Sequence, residues 1–152
     1  MSQESVEVVR HWLAALNKGT DEALASLPEF CEPDIDYYPV RKFPEARPSH
    51  GIDEFSRFFV RYLDAWRFEV AIQDLIDVGN ERVLARETIR IEGRGSGMEL
   101  EGDLHQCFWL RHGRVFRQED HLTLRGALHA FGLDAETLEA AGLSEQDAHA
   151  DS

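Results

Sequence analysis

From Phe68 to Leu124 the chain repeats one pattern four times: a stretch of alternating apolar and polar residues, then a turn signal. Phe68–Val78 runs into Gly79-Asn80, and Val83–Glu92 runs into Gly93-Arg94-Gly95-Ser96-Gly97. Met98–Leu110 runs into Arg111-His112-Gly113, and Arg114–Leu124 completes the series. A period of two marks strands, and short glycine-containing breaks mark hairpins, so this half predicts a four-stranded antiparallel meander. Such a sheet needs a cover for its apolar face, and the first half of the chain supplies one.

Val6, Val9, Leu13 and Leu16 recur at helical spacing beside Trp12, and Gly19 follows as a stop. A short helix is expected over 21–26, ending before Pro28. Ile35–Tyr38 reads as a short strand, and residues 39–50, with Pro39, Pro44 and Pro48, as a loop. Asp53 can cap a second long helix whose apolar side is Phe55, Phe59, Tyr62, Leu63 and Trp66. A last short helix begins near Arg125 and ends by Gly132. Helices first and a meander second define the α+β class: a curved antiparallel sheet wrapped around N-terminal helices, with an apolar pocket inside. One domain over 1–143 suits the 152 residues, and 144–152 reads as an acidic, frayed tail.

The formal net charge is −13. Six acids and no Lys or Arg fall between Asp134 and Ser152, which leaves about −7 for the body. An acidic body disfavours phosphate backbones and anionic lipid, so neither nucleic acid nor membrane is an expected partner. Cys31 and Cys107 have no metal-ligand spacing, the seven His are dispersed, and no metal or organic cofactor is expected. With no leader-like N-terminus and no long apolar run, a cytoplasmic location is expected. The Gly93–Gly97 segment lacks the Lys and helix of a phosphate loop and reads as turn chemistry.

Alternation also sorts the strands into faces. Val83, Ala85, Glu87, Ile89 and Ile91 share one face, as do Leu104, Gln106, Phe108 and Leu110, and Phe116, Gln118, Asp120, Leu122 and Leu124. These mainly apolar sets are expected inward. Leu84, Arg86, Thr88 and Arg90, and Arg117, Glu119, His121 and Thr123, are expected outward, where Arg86 or Arg90 could pair with Glu119. Two acids, Glu87 and Asp120, are thereby left on apolar faces with Gln106 and Gln118. Desolvating a carboxylate is costly, so such an acid holds a proton, pairs with a base or meets a ligand. The functional expectation makes Asp120 an acid/base, with Glu87 sharing its proton. Gln106, Gln118, Tyr37, Phe108, Trp12, Phe59, Tyr62 and Trp66 would line the ligand's place. The structural alternative is an Asp120 tied to a nearby Tyr, His or backbone group. His105, Cys107 and Trp109 form an apolar row on the outer face that suits a homodimer interface. Cover by the C-terminal segment is the alternative.

Several segments resemble a known family in their order along roughly 6–133. They are Asp34-Ile35-Asp36-Tyr37, Gly51-Ile52-Asp53-Glu54-Phe55, the run Gly93-Arg94-Gly95-Ser96-Gly97-Met98-Glu99-Leu100-Glu101, Trp109-Leu110-Arg111-His112-Gly113-Arg114-Val115, and Ala127-Leu128-His129-Ala130-Phe131-Gly132-Leu133. Together they resemble the SnoaL-like branch of the nuclear transport factor two-like superfamily. The resemblance implies a cystatin-like cone in which a curved sheet wraps helices around a pocket. Members include polyketide cyclases, ketosteroid isomerases, limonene-epoxide hydrolases and binding domains without activity, so fold alone does not fix function. Glu119-Asp120-His121-Leu122-Thr123 is similar to the last-strand segment of the epoxide hydrolases, whose catalytic Asp falls on Asp120. The Arg and Asp those enzymes carry on an inner strand are matched here by Glu87 and Ile89, so that triad is incomplete. Asp36 falls near the place of the ketosteroid isomerase base. The resemblance therefore implies a pocket protein for a small apolar metabolite, working by proton transfer of isomerase, cyclase or hydratase type. The alternative is a non-catalytic ligand-binding or interaction domain.

Overall fold

The computed structural model describes residues 2–40 and 47–134. The expected acidic tail lies outside these. The element order is α1 (Ser2–Asn17), α2 (Thr20–Phe30), β1 (Cys31–Tyr38), β2 (Ser49–His50), α3 (Gly51–Ala65), β3 (Trp66–Asp77), β4 (Arg82–Gly93), β5 (Glu99–Arg111), β6 (Arg114–His121) and α4 (Leu124–Ala130). The six strands form one sheet in the order β2-β1-β6-β5-β4-β3. The meander β3–β6 is antiparallel as the turn spacing requires. At the β5–β6 hairpin both loop residues, His112 and Gly113, take positive φ (56° and 75°). That is the turn whose twist suits a two-residue hairpin.

One departure from the antiparallel expectation matters for the site. β1 pairs with β6 in parallel, Tyr37 beside Gln118 and Tyr38 beside Glu119. Sequence periodicity carries no information on the direction of a distant partner, and this pairing delivers Tyr37 to the Asp120 end of β6.

Other expectations shift locally. Helix α2 runs through Pro28 to Phe30 instead of stopping before the proline. Pro28 sits in the last turn, where it removes the N–H that would bond the Leu24 carbonyl, and the Cys31 N–H closes the helix on the Leu27 carbonyl. Asp53 does not cap α3. His50 holds that position, and Asp53 lies in the first turn, where its charge still suits the helix dipole. Trp66 is not on α3. It opens β3 opposite Gly93, with its N–H on the Tyr62 carbonyl. The spacing of Trp66 from Tyr62 and Leu63 fits a helix, while its spacing from Phe68 and Val70 fits a strand, and the strand prevails.

Two faces result. On the inner face Val83, Ala85, Phe108, Leu110 and Val115 pack against Val9, Trp12, Leu13 and Leu16 of α1, Ala23 and Leu27 of α2, and Phe55, Phe59 and Leu63 of α3. Each fully buried large side chain stabilises the fold by about 1.5–3 kcal/mol. Asn17 fixes α1 to the free edge of β3: its amide donates to the Val70 carbonyl (2.8 Å) and accepts from the Val70 N–H (2.9 Å). A register shift after Trp109 turns Val115 inward, and Phe116 leaves its expected inward place to stack under the Arg111 guanidinium.

On the outer face Leu84 and Cys107 pack against Leu124, Ala127, Leu128 and Phe131 of the α4 segment. Thr123 starts α4 by accepting the Gly126 N–H at 3.0 Å. Arg82 latches its end, donating to the Phe131 carbonyl at 2.9 Å under the Phe131 ring. Leu84 keeps its expected outer-face place but is buried there, and Leu124, expected inward, packs on it from α4. The row assigned above to a dimer face is roofed the same way. Cys107 donates to the Ala127 carbonyl (3.4 Å), Trp109 packs on Phe131 with ring centroids 4.8 Å apart, and His105 is 1% exposed. His105 and Cys107 are thus covered within this chain and present no surface to a second copy. Nor does either outer arginine meet Glu119. Arg86 lies by Asp74, Arg90 binds Glu99, and Glu119 takes Arg117 and His121. No helix among the described residues is long and apolar enough to cross a membrane.

Candidate functional site

The inner face is not apolar throughout. Three strands bring four polar residues to neighbouring positions. Gln106 of β5 stands directly opposite Asp120 of β6, and Gln118 lies two residues before Asp120 on the same face. Tyr37 arrives from β1. Its hydroxyl donates to Asp120 Oδ2 at 2.5 Å. On Oδ1, Asp120 accepts from Gln106 Nε2 at 2.8 Å and Gln118 Nε2 at 3.3 Å. Gln118 Oε1 in turn accepts the Trp12 indole N–H at 3.4 Å. The acid thus faces three neutral donors and, among the described residues, no direct cationic partner.

Burial raises the Asp120 pKa above the usual carboxylate range. The three donors and the charge of His121 pull against that rise. Glu87 differs. It lies on β4 opposite Leu104 and is 1% exposed, and neither carboxylate oxygen has a hydrogen-bond partner among the described residues. Burial, and next the charge of Asp120, push its carboxyl well above the ordinary range. Two acids in one low-dielectric region do not both ionise readily. Three donors and partial exposure favour the charge on Asp120, and the sealing of Glu87 favours its protonated form. Burial, and then the charge of Asp120, also raise the phenols of Tyr37 and Tyr62, so both remain neutral donors.

Asp120 stands in the wall of a cavity. Tyr37, Gln106, Gln118 and Asp120 form its polar side, and Leu16, Phe58, Phe59, Tyr62, Leu63, Phe68 and Leu104 its apolar side. Its enclosed room is about 40 Å³, below the roughly 300–1,000 Å³ of small-molecule sites, so an occupant extends through the mouth or moves the lining side chains. A second, more open hollow, lined by Tyr38, Val40, Glu119, His121, Leu122 and Thr123, meets the first at Pro39 and Asp120.

Of the residues expected at a ligand, Asp120, Gln106, Gln118, Tyr37, Phe59 and Tyr62 line the cavity. Four do not. Phe108 and Trp12 are fully buried in the main core, although Trp12 touches the site through Gln118. Trp66 packs beside Gly93 at the start of β3. Glu87 is shut behind the wall. Asp36 points away from Tyr37's side and pairs with His50 at the surface. Phe58, Phe68, Leu16, Leu63 and Leu104 were not singled out as lining. Phe58 was within reach: Phe55, Phe58, Phe59 and Tyr62 are spaced three, four and seven apart, one stripe of α3. Among the described residues no group of three or more His, Cys, Asp or Glu is placed to hold a metal ion.

The SnoaL-like domain family model matches residues 9–118. This chain belongs to that family. No curated protein matches it in sequence. Among solved structures it is similar to Bal32a from a soil-derived mobile gene cassette, with TM-score 0.71 and 20% identity, covering 79% of this chain and 89% of that one. It is similar to a candidate SnoaL-like polyketide cyclase from Jannaschia sp. CCS1, with TM-score 0.69 and 17% identity over 80% and 86% of the two chains. An LEH-like epoxide hydrolase from M. tuberculosis is also similar, with TM-score 0.63 and 19% identity over 78% and 82%. At these identities the likeness is one of fold.

Proposed function

We propose that this SnoaL-like domain receives a small, largely apolar molecule in the inner cavity and moves a proton on it through Asp120, without a cofactor. The observation that carries the reading is the setting of Asp120. A carboxylate held by Tyr37, Gln106 and Gln118, with no direct cationic partner among the described residues, forms part of the wall of an aromatic cavity. Desolvation moves such an acid toward neutral pH, where it can both take and return a proton. Tyr37 and Gln106 fix its orientation. Once Asp120 takes a proton, the Tyr37 hydroxyl is released to donate to an oxygen developing charge on the ligand. General acid–base help of this kind is worth about 10²–10⁴-fold in rate. Isomerisation, cyclisation and hydration all use these steps.

The test is turnover and binding by wild type and Asp120→Asn on small ketones, lactones and epoxides with apolar bodies. Asn keeps the shape and removes the base. Loss of turnover with the fold intact is the expected result, and unchanged turnover would remove Asp120 from the chemistry. A second reading, binding without chemistry, is favoured by one observation: three donors already engage Asp120. Under that reading the same molecules bind and leave unchanged.

A further inference from the structure

The hydrogen-bonding atoms around the cavity do not balance. Gln106 is 4% exposed and lines the cavity. Its Nε2 is held by Asp120, and its Oε1 is buried with no partner. The amide cannot simply be turned over, since that would set Oε1 against the Asp120 carboxylate. Asp120 Oδ2 accepts only from Tyr37, which leaves it room for another donor. Glu87 adds two more buried acceptors without donors behind the wall. The excess on this side is therefore of acceptors, and among the described residues no Lys, Arg or His lines the cavity.

Much of the remaining lining is a set of aromatic rings packed on one another. Phe58 and Tyr62 stack with centroids 5.6 Å apart, Tyr37 lies 5.2 Å from Phe58, and Phe68 meets Tyr62 edge-on at 5.9 Å. Ring faces attract cations within about 6 Å. A buried acceptor left unpaired is costly, and a donor from the occupant removes that cost. An anionic occupant would meet the charge of Asp120, and a neutral ketone or ether would add acceptors to a site already rich in them.

We propose that the preferred occupant carries a primary or secondary ammonium group on a small apolar body. Its N–H groups meet Gln106 Oε1 and Asp120, and the body lies against Phe58, Tyr62 and Phe68. This rests on the reading that the inner cavity receives a small molecule and not on whether proton transfer follows.

The test is calorimetric titration of the full chain at pH 7 with three probes of one size: 2-phenylethylamine, 2-phenylethanol and phenylacetate. The amine is expected to bind at least about tenfold more tightly than the alcohol, which corresponds to one decade in Kd, with phenylacetate weakest. Asp120→Asn and Gln106→Met should each take most of that tenfold preference away by weakening the amine far more than the alcohol, on proteins whose melting and circular dichroism match wild type. Two variants keep the test open should one fail to fold. An alcohol that binds as well as the amine, or a preference for the carboxylate, overturns the inference while the cavity reading survives. So does an amine indifferent to both substitutions. Failure of all three probes and of neutral ketones and lactones overturns the inference and the cavity reading together.

Discussion

The two faces of strands β4–β6 are made from adjacent residues and follow opposite rules. On the outer face Leu84 sits across from Cys107 and both vanish under α4. One residue along, Ala85 sits across from Gln106 and Gln106 across from Asp120. The outer pair is apolar, and the one polar atom there, the Cys107 thiol, is satisfied by a backbone carbonyl. The inner face gathers two acids and two amides and leaves three buried oxygens of Glu87 and Gln106 without partners. Buried polar groups are normally paired, so packing explains the Leu84–Cys107 pair of the outer face and does not explain the inner acids and amides. The difference separates what holds the fold from what the fold is available to do.

The comparison breaks most visibly on the outer face. Leu84→Ala removes a fully buried side chain from under α4 and should cost about 2–5 kcal/mol in chemical denaturation, with ligand affinity at the inner cavity unchanged. Affinity that falls with it would mean the two faces are not separate. Tyr37→Phe acts on the inner face, removing a donor to a charged acceptor. It should cost about 1.5–3 kcal/mol of stability and raise the Asp120 pKa further, read by a carboxyl-labelled NMR titration.

Glu87→Gln sharpens the contrast through pH. The Glu87 carboxyl is raised in the folded state above its unfolded value. Its protonated form therefore contributes stability that is fully present below the unfolded pKa and lost as pH rises toward the folded one. Glu87→Gln should gain on wild type by up to about 1.4 kcal/mol per pH unit above the ordinary carboxylate range. A difference that stays flat with pH would place an ionised, partnered Glu87 in the fold. Thr123→Ala, which removes the hydroxyl that caps α4, is the smallest change, about 1 kcal/mol, and should again leave the inner cavity untouched.

Much of the inner face was legible because strand alternation is a strict rule. Gln106, Gln118 and Asp120 fall at every second residue of two hairpin-linked strands, so their meeting follows from register alone. Tyr37 needed the parallel β1–β6 pairing, a contact between residues 83 apart in sequence, which no local pattern encodes. Where alternation was pushed too far it failed for physical reasons. The register shift beyond Trp109 exchanged Val115 for Phe116, and α4 made an outer face as apolar as the inner one. Phe108 and Trp12 show the remaining limit. A pattern of faces says inward, but only packing decides whether inward means core or cavity.

The central claim is that the outer face of these strands serves the fold alone, whereas the inner face carries both the main core and the ligand site. It is tested most directly by the ligand-induced melting shift of Asp120→Asn beside that of Leu84→Ala, using the tightest binder among 2-phenylethylamine and small ketones, lactones and epoxides. At about 100 times Kd wild type should gain about 2.7 kcal/mol. The account predicts that Asp120→Asn melts near wild type and loses most of that shift, while Leu84→Ala melts far lower and keeps it. A shift retained in Asp120→Asn and lost in Leu84→Ala would contradict it.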